Sequence, residues 1–109
     1  LLVDDHPLIL EGYKNVLEKN NGIQFIIETS NDLATAYNNI ENASYPFDLV
    51  CLDMNMPADE NLDMISGEDL ALYIRNNHPG VKIIVMTMSD DNFRLFNILK
   101  TINPEGFLI

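Results

Sequence analysis

Hydrophobic side chains fall into five short runs, separated by longer stretches in which apolar and polar residues are mixed. The runs are rich in Val, Ile, Leu and Phe, and most of them do not alternate with polar residues. A strand that is covered on both faces has this pattern, as in a parallel sheet. The pattern therefore predicts five strands, at residues 1–3, 23–27, 49–52, 81–88 and 107–109.

The four stretches between these runs carry apolar residues at helical spacing. The first helix is predicted to begin near Pro7, which the first helical turn tolerates. The third opens on a capping-box pattern at Ser66, and the fourth follows Asp91 and stops at Asn103. Strands and helices therefore alternate along the chain. With right-handed crossovers this order predicts an α/β fold, a doubly wound parallel sheet.

Acidic side chains follow two of the predicted strands. Asp4 and Asp5 come after the first strand, Asp53 ends the third, and the hydroxyl of Thr87 lies at the end of the fourth. The carboxyl ends of parallel strands meet at one edge of the sheet, where such folds bind ligands. Clustered carboxylates repel one another, and a hard cation with oxygen ligands, commonly Mg²⁺, relieves that repulsion. A carboxylate held there can also attack phosphorus to give an aspartyl phosphate.

A single Asp at a strand end has a simpler explanation. It is usually a turn residue or the N-cap of the following helix. Asp5 stands just before His6 and Pro7, so the N-cap alternative applies to it as well.

With these residues in place, the chain resembles the receiver domain of bacterial two-component response regulators over essentially all of residues 1–109. The acidic pair at 4–5, the phospho-acceptor segment at 52–57, the hydroxyl-bearing strand at 85–87 and the segment 106–107 carry the resemblance. Residues 3–8 further resemble the LuxR-type regulators. The resemblance implies a flavodoxin-like (βα)5 fold, with five parallel strands in the order 2-1-3-4-5 and the last helix missing from this chain.

The resemblance also implies roles for individual residues. Asp53 would accept a phosphoryl group from a sensor histidine kinase. Mg²⁺ would be held by four groups, namely Asp4, Asp5, Asp53 and the backbone carbonyl of Asn55. Thr87 would move to bond the phosphoryl group, and Phe107 would turn inward behind it as the aromatic switch residue. Asn55 and Ser89 would tune the dephosphorylation rate.

The fourth helix is expected to present an output surface, with Phe93, Arg94 and Lys100 exposed. The protein would catalyse only its own phosphorylation and dephosphorylation, and is not an enzyme in the ordinary sense. Phosphorylation would promote a homodimer and switch an output, which in LuxR-type regulators is transcription. DNA would be contacted only through a DNA-binding domain that is not in this chain.

Composition narrows the functional classes. The 109 residues fit one domain, 47% of them are hydrophobic, and 6 basic against 17 acidic side chains give a net charge of −11. That charge argues against direct nucleic-acid binding by these residues, because phosphate would be repelled. No apolar run approaches the ~18 residues of a membrane span, so we expect no membrane contact. The lone Cys51 is consistent with a reducing compartment, here the cytoplasm.

Two departures from the family pattern bear on function. The family carries a Lys directly after the segment that ends at Ile109, and this chain stops one residue short of that position. Because the chain opens directly on one predicted strand and stops on another, we expect both ends to be cut inside a longer protein. The family also reaches its glycine about four residues after the proline that matches Pro57. Here Gly67 comes later, and roughly six residues are inserted. The acids of residues 59–64 are expected to overhang the phosphorylation site.

Other functions remain open at this level. A degenerate receiver that acts only by protein–protein interaction would keep the same fold. A haloacid-dehalogenase-like phosphohydrolase needs a second Asp two residues after the nucleophile, where this chain has Asn55. A flavodoxin-like cofactor binder needs a phosphate-binding loop rich in Ser, Thr and Gly after the first strand, where this chain has acids.

Overall fold

A five-stranded parallel sheet organises the chain in the computed structural model, which describes residues 1–20, 22–88 and 90–108. Numbered along the chain, the strands lie in the order 2-1-3-4-5, and four helices connect them. The predicted flavodoxin-like fold is therefore confirmed. In chain order the elements are β1 (Leu2–Val3), α1 (Pro7–Glu18), β2 (Thr29–Ser30), α2 (Leu33–Asn42), β3 (Leu49–Asp53), α3 (Gly67–Asn77), β4 (Lys82–Met86), α4 (Asn92–Ile102) and β5 (Gly106–Leu108).

The register of the central strands aligns their carboxyl ends. Val3 pairs with Leu52 across β1 and β3, and Asp53 pairs with Met86 across β3 and β4. Strand residues on both faces of the sheet are buried against the helices, Val3, Val50, Leu52, Ile83 and Val85 among them. Because the central strands end at the same level, the residues that follow them emerge side by side at one edge.

The second strand lies outside the segment that the apolar pattern predicted. Residues 23–27 form no strand, and Ile23 and Ile26 are 59% and 93% exposed. β2 is instead Thr29–Ser30, and its Ser30 is buried with its hydroxyl accepting a hydrogen bond from the Asn39 amide at 2.8 Å. The prediction at 23–27 was wrong because it relied on apolar residues alone. The segment that pairs with β1 is polar, and Asn39 of α2 stabilises it through the hydrogen bond to Ser30.

Side-chain caps define where the later helices begin. Asp32 accepts from the Thr35 N–H at 2.7 Å, and Asp91 accepts from the Phe93 N–H at 3.0 Å. Ser66 accepts from the Glu68 N–H at 3.3 Å, which confirms the predicted start of α3. α4 ends where predicted, on Asn103 in the left-handed conformation at φ 50°.

The inserted segment after Pro57 folds back on itself. Asp59 and Met64 form an antiparallel bridge, with N–H···O distances of 2.8 and 3.1 Å in the two directions. Asp63 closes the turn with a left-handed φ of 55°, and the Met64 side chain is buried in the core. The insertion is thus a short, anchored hairpin-like loop.

Arg75, near the end of α3, ties this helix to the connection between α4 and β5. Its guanidinium donates to the carbonyls of Ile102 at 2.9 Å and Asn103 at 2.7 Å. It also pairs with both carboxylate oxygens of Glu105, at 2.9 and 2.6 Å. Glu105 in turn accepts from the Ile83 N–H of β4 at 2.7 Å. The pair therefore holds three elements together at the edge of the sheet.

We expect Glu105→Gln to lower the free energy of unfolding at neutral pH by about 1 kcal/mol, since the pair is partly solvent-screened. The hydrogen bonds from Arg75 lower the pKa of Glu105 from 4.5 to about 2. A carboxylate whose pKa is depressed by folding stabilises the fold above its unfolded pKa, and that contribution is lost as the pH falls through its folded pKa. The gap between wild type and variant should therefore close between about pH 4.5 and 2.

Urea unfolding across this pH range measures the effect. Glu11→Gln makes the same change at an exposed position of α1 and should alter the unfolding free energy little at any pH. A gap between wild type and Glu105→Gln that is equally large at neutral and acidic pH would contradict the assignment.

Candidate functional site: an acidic pocket at the carboxyl edge of the sheet

Four titratable side chains meet where β1 and β3 end. Ligand atoms of Asp4, Asp5, His6 and Asp53 lie within 4.8 Å of one another. Asp4 and Asp53 are only 5% and 8% exposed, and Asp5 is partly exposed. The structure therefore brings together the three carboxylates that the sequence placed at this edge.

Backbone hydrogen bonds between neighbouring chain segments extend one residue beyond the ends of β1, β3 and β4, and so fix the backbone at the site. The Asp4 N–H donates to the Ser30 carbonyl at 3.1 Å, and the Met54 N–H donates to the Met86 carbonyl at 2.8 Å. The Thr87 N–H donates to the Leu108 carbonyl at 3.0 Å, and Thr87 is 3% exposed. Each functional side chain thus stands on, or directly after, a paired strand end.

A cavity of about 190 Å³ opens over this edge. Asp4, Asp53, Asn55 and Thr87 line its polar side. Its lining also includes the mainly apolar side chains of Ile9 and Tyr13 of α1, Met86, Met88 and Leu108. The pocket can thus hold a small polar group against carboxylates, an amide and a hydroxyl.

The electrostatics of the pocket disfavour a further negative charge. Burial raises the pKa of Asp53, and the neighbouring Asp4 and Asp5 raise it further. The Asn55 N–H, which donates to Asp53 Oδ1 at 2.9 Å, acts in the opposite direction, as does His6. A bound cation would relieve this repulsion and keep Asp53 ionised.

The oxygen atoms present fit a hard cation. Oδ1 of Asp5 is buried without a hydrogen-bond partner among the described residues, although His6 Nδ1 lies 3.1 Å away. An orphaned carboxylate oxygen beside two other carboxylates is a donor set suited to Mg²⁺. Asp4, by contrast, is engaged by the His6 N–H at 2.9 Å and by Nδ1 at 2.8 Å.

The N-cap alternative for Asp5 is wrong. The cap residue of α1 is His6, and no side chain caps the helix. The carboxylate that accepts the His6 N–H belongs to Asp4, one residue earlier. Asp5 is therefore not needed to begin α1, and its carboxylate remains available to the pocket.

We expect Asp5→Asn to weaken Mg²⁺ binding and at the same time to raise the metal-free unfolding free energy by about 1 kcal/mol. The amide removes one of three clustered charges, which relieves repulsion but deletes a hard oxygen ligand. Mg²⁺ titration and urea unfolding without metal measure the two effects separately. Glu18→Gln, exposed at the end of α1, is the charge-matched control. Lower metal-free stability in Asp5→Asn would contradict the repulsion argument.

Two further predicted site residues take different positions. Phe107, paired with Val85 across β4 and β5, is partly buried against the core. Ser89, assigned to rate tuning, lies outside the described residues. The acids of residues 59–64 do not line the cavity, and none of them is among the groups that shift the pKa of Asp53. The expected overhang of the insertion is thus not seen in the described residues.

The predicted output surface is only partly exposed. Phe93 is 74% exposed, and the exposed Lys100 lies with its Nζ 6.0 Å from the ring centroid of Phe96. Phe96 itself is 61% exposed. Arg94 was expected to be exposed as well, but its side chain is only 30% exposed.

Arg94 turns instead towards the loop after β3. It donates to Glu68 at 2.8 Å, to Asn55 Oδ1 at 2.7 Å and to the Met54 carbonyl at 3.3 Å. Sequence reasoning missed these contacts because the partners are 26 to 40 residues away along the chain. Helical periodicity assigns Arg94 to the polar face but cannot say what lies opposite it.

No helix in the described part of the chain is both long enough and apolar enough to cross a membrane.

Comparison with known proteins gives one family and several relatives. The family described as "Response regulator receiver domain" matches residues 1–108. The oxygen regulatory protein NreC of Staphylococcus aureus (strain JH9) is 28% identical over 109 residues, which are all of this chain and 46% of that protein. The chain thus spans about half the length of the curated relatives it matches.

Solved structures agree with this result. The isolated REC domain of RcsB from Salmonella enterica serovar Typhimurium, with the phosphomimetic BeF3⁻, has a TM-score of 0.83 at 27% identity, over 99% of this chain and 73% of that one. RcsB bound to promoter rprA has a TM-score of 0.81 at 28% identity, over 98% of this chain and 56% of that one.

Proposed function

Because the chain belongs to the response regulator receiver domain family, we propose that it is a phosphorylation-controlled switch in which Asp53 is the phospho-acceptor. A carboxylate oxygen of Asp53 attacks the phosphorus of the donor, and the donor's leaving group departs with the bonding electron pair. The observation that carries this proposal is the convergence of Asp4, Asp5 and Asp53 within 4.8 Å beside Thr87.

The acidic pocket is proposed to hold Mg²⁺ through Asp5, Asp53 and the backbone carbonyl of Asn55, with Asp4 assisting. The cation would supply charge neutralisation for the incoming phosphoryl group. The residues themselves orient the reaction, since the Asn55 N–H holds Asp53 Oδ1 at 2.9 Å. Thr87, which lines the same cavity, is proposed to donate its hydroxyl to a phosphoryl oxygen, with Phe107 acting as the switch residue on the adjacent strand β5. Asn55 and Ser89 are proposed to tune phosphoryl loss.

The upstream and downstream partners follow from the same proposal. A sensor histidine kinase supplies the phosphoryl group, and phosphorylation alters a surface around Phe93 and Lys100 that favours a homodimer. RcsB has been seen bound to promoter DNA and as two dimers on DNA. We propose a similar output here, with DNA contacted by a further domain of a longer, cytoplasmic protein. The net charge of −11 suits protein contacts rather than direct DNA binding by this domain.

The test is phosphorylation of the full-length protein by acetyl phosphate and Mg²⁺. The expected result is the addition of one phosphoryl group, seen by intact mass, which requires Mg²⁺ and maps to Asp53. A chain that takes up no phosphoryl group although it binds Mg²⁺ would favour the degenerate receiver, which acts by protein–protein interaction alone.

A further inference from the structure

Arg94 connects α4 to the loop that carries the proposed phosphorylation site. Its guanidinium lies among three acceptors, namely the Glu68 carboxylate, the Asn55 side-chain oxygen and the Met54 carbonyl. Glu68 also forms an ion pair with it, at 2.7 Å, from the first turn of α3. The side chain of Arg94 is only 30% exposed. A planar group with several fixed donors can hold such a set of acceptors at once.

The loop held in this way is the one that orients Asp53. Asn55 donates its backbone N–H to Asp53 Oδ1 at 2.9 Å. Asn55 and Asp53 also line the same cavity. Its side-chain oxygen is bound by Arg94 at 2.7 Å. Asn55 is therefore in contact with Asp53 through its backbone and with α4 through its side chain.

Hydrolysis of a phosphorylated Asp53 needs an oriented water. The water oxygen forms a bond to phosphorus while the bond from phosphorus to the Asp53 oxygen breaks. The Asp53 carboxylate leaves with the electron pair of that bond, and the proton that the water loses passes to solvent. A nearby acceptor that accepts a hydrogen bond from this water helps to orient it for attack on phosphorus.

An amide oxygen at the cavity wall is such an acceptor. Arg94 holds Asn55 Oδ1 towards α4 and, as a charged donor, weakens it as an acceptor for a second group. The oxygen is therefore less available as an acceptor for the water that hydrolysis requires.

We propose that Arg94 is a positioning residue that acts through Asn55 to slow the loss of the phosphoryl group from Asp53. This inference rests on the function proposed above. Removing the guanidinium frees the Asn55 side-chain oxygen and removes the contacts that hold the loop after β3 to α4. The lifetime of the phosphorylated state is thus set in part by α4, the helix that also carries the exposed Phe93 and Lys100.

Arg94→Met should speed dephosphorylation by about fivefold, the effect of a single hydrogen bond. The measurement is decay of the phosphorylated full-length protein after the donor is removed, with Mg²⁺ held constant. Lys82→Met removes one exposed cation at the other end of β4 and should leave the decay unchanged. Arg94→Lys keeps the charge but cannot hold three acceptors, so its decay should be close to that of Arg94→Met. Restoration of the wild-type lifetime by Lys would overturn the positioning role.

A double-variant comparison separates this role from general loosening of the fold. In an Asn55→Ala background the Arg94→Met change should have no further effect on decay, because its target is gone. An equal acceleration in both backgrounds would overturn the inference. Glu68→Gln, which weakens the hold on Arg94 without touching Asn55, is a milder second variant and should accelerate decay in the same direction. If both single variants, Glu68→Gln and Arg94→Met, decay at the wild-type rate, the inference is also overturned.

A spectroscopic readout keeps this inference distinct from the proposed function. The side-chain amide resonance of Asn55 should shift in Arg94→Met and remain in place in Lys82→Met, whether or not phosphate is present. If wild type accepts no phosphoryl group, the proposed function fails even though this resonance shifts. If wild type is phosphorylated on Asp53 but its lifetime does not depend on Arg94, only the inference about Arg94 fails.

Discussion

Asp53→Asn is expected to abolish phosphorylation of the protein by acetyl phosphate. An amide oxygen is a poor nucleophile towards phosphorus, whereas the carboxylate of Asp53 lies in a pocket suited to a cation that would keep it ionised. We do not expect Asp4 or Asp5 to substitute efficiently, because Asp4 is engaged by two hydrogen bonds from His6 and Asp5 is proposed to be a metal ligand. Intact mass after incubation with Mg²⁺ and donor gives the result directly.

A control is available just before the same strand. Asp48 precedes β3 and is exposed, so Asp48→Asn makes the identical chemical change at the opposite end of β3. We expect full phosphorylation in that variant. Asp53→Asn also removes charge from a crowded pocket, so it should fold at least as well as wild type, and its inactivity cannot be attributed to unfolding. Phosphorylation that persists in Asp53→Asn would assign the site to another residue.

Gly67→Ala is expected to have the largest effect on stability, a loss of about 3 kcal/mol. Gly67 begins α3 and packs directly on the end of β3. A Cβ there would overlap with the carbonyl oxygen of Asp53 and lie 3.0 Å from the carbonyl carbon of Asp53 and from Met54 Cα. These are backbone atoms of the last residue of β3 and of the residue after it, so they cannot move aside as a side-chain tip would.

The opposite sign is expected at Gly12. That residue lies inside α1, and a Cβ there meets nothing within 4 Å. Gly12→Ala should stabilise the protein by up to about 1 kcal/mol through helix propensity. Urea unfolding of the two variants tests both signs. We also expect slower phosphorylation in Gly67→Ala, because any relief of the overlap displaces Asp53. Equal stability of Gly67→Ala and wild type would contradict the close approach of α3 to β3.

The contact between Gly67 and the end of β3 limits where the long connection after Pro57 can take up extra residues. The late position of Gly67 suggested an insertion, and the structure shows that the chain closes a hairpin-like loop at Asp59 and Met64 before it reaches that glycine. The insertion is therefore accommodated before the tight contact between α3 and β3. Since loop-closure entropy grows slowly with length, such an insertion costs little.

The amino-acid sequence by itself determined the order of elements, the parallel sheet and the edge at which Asp4, Asp5, Asp53 and Thr87 meet. It could do so because burial on both faces leaves unbroken apolar runs, and because parallel strands bring their carboxyl ends together in any register. Helix starts at Ser66 and Asp91 were also readable, since capping is a local interaction.

Tertiary structure alone decided the contacts between distant segments. It moved the second strand to Thr29–Ser30, turned Arg94 towards Asn55, and joined Arg75 to Glu105. Periodicity tells which side of a helix is polar, but a long charged side chain can bind any acceptor within its reach. Those acceptors belong to residues that only the packed fold brings near, so no local pattern in the chain can specify them.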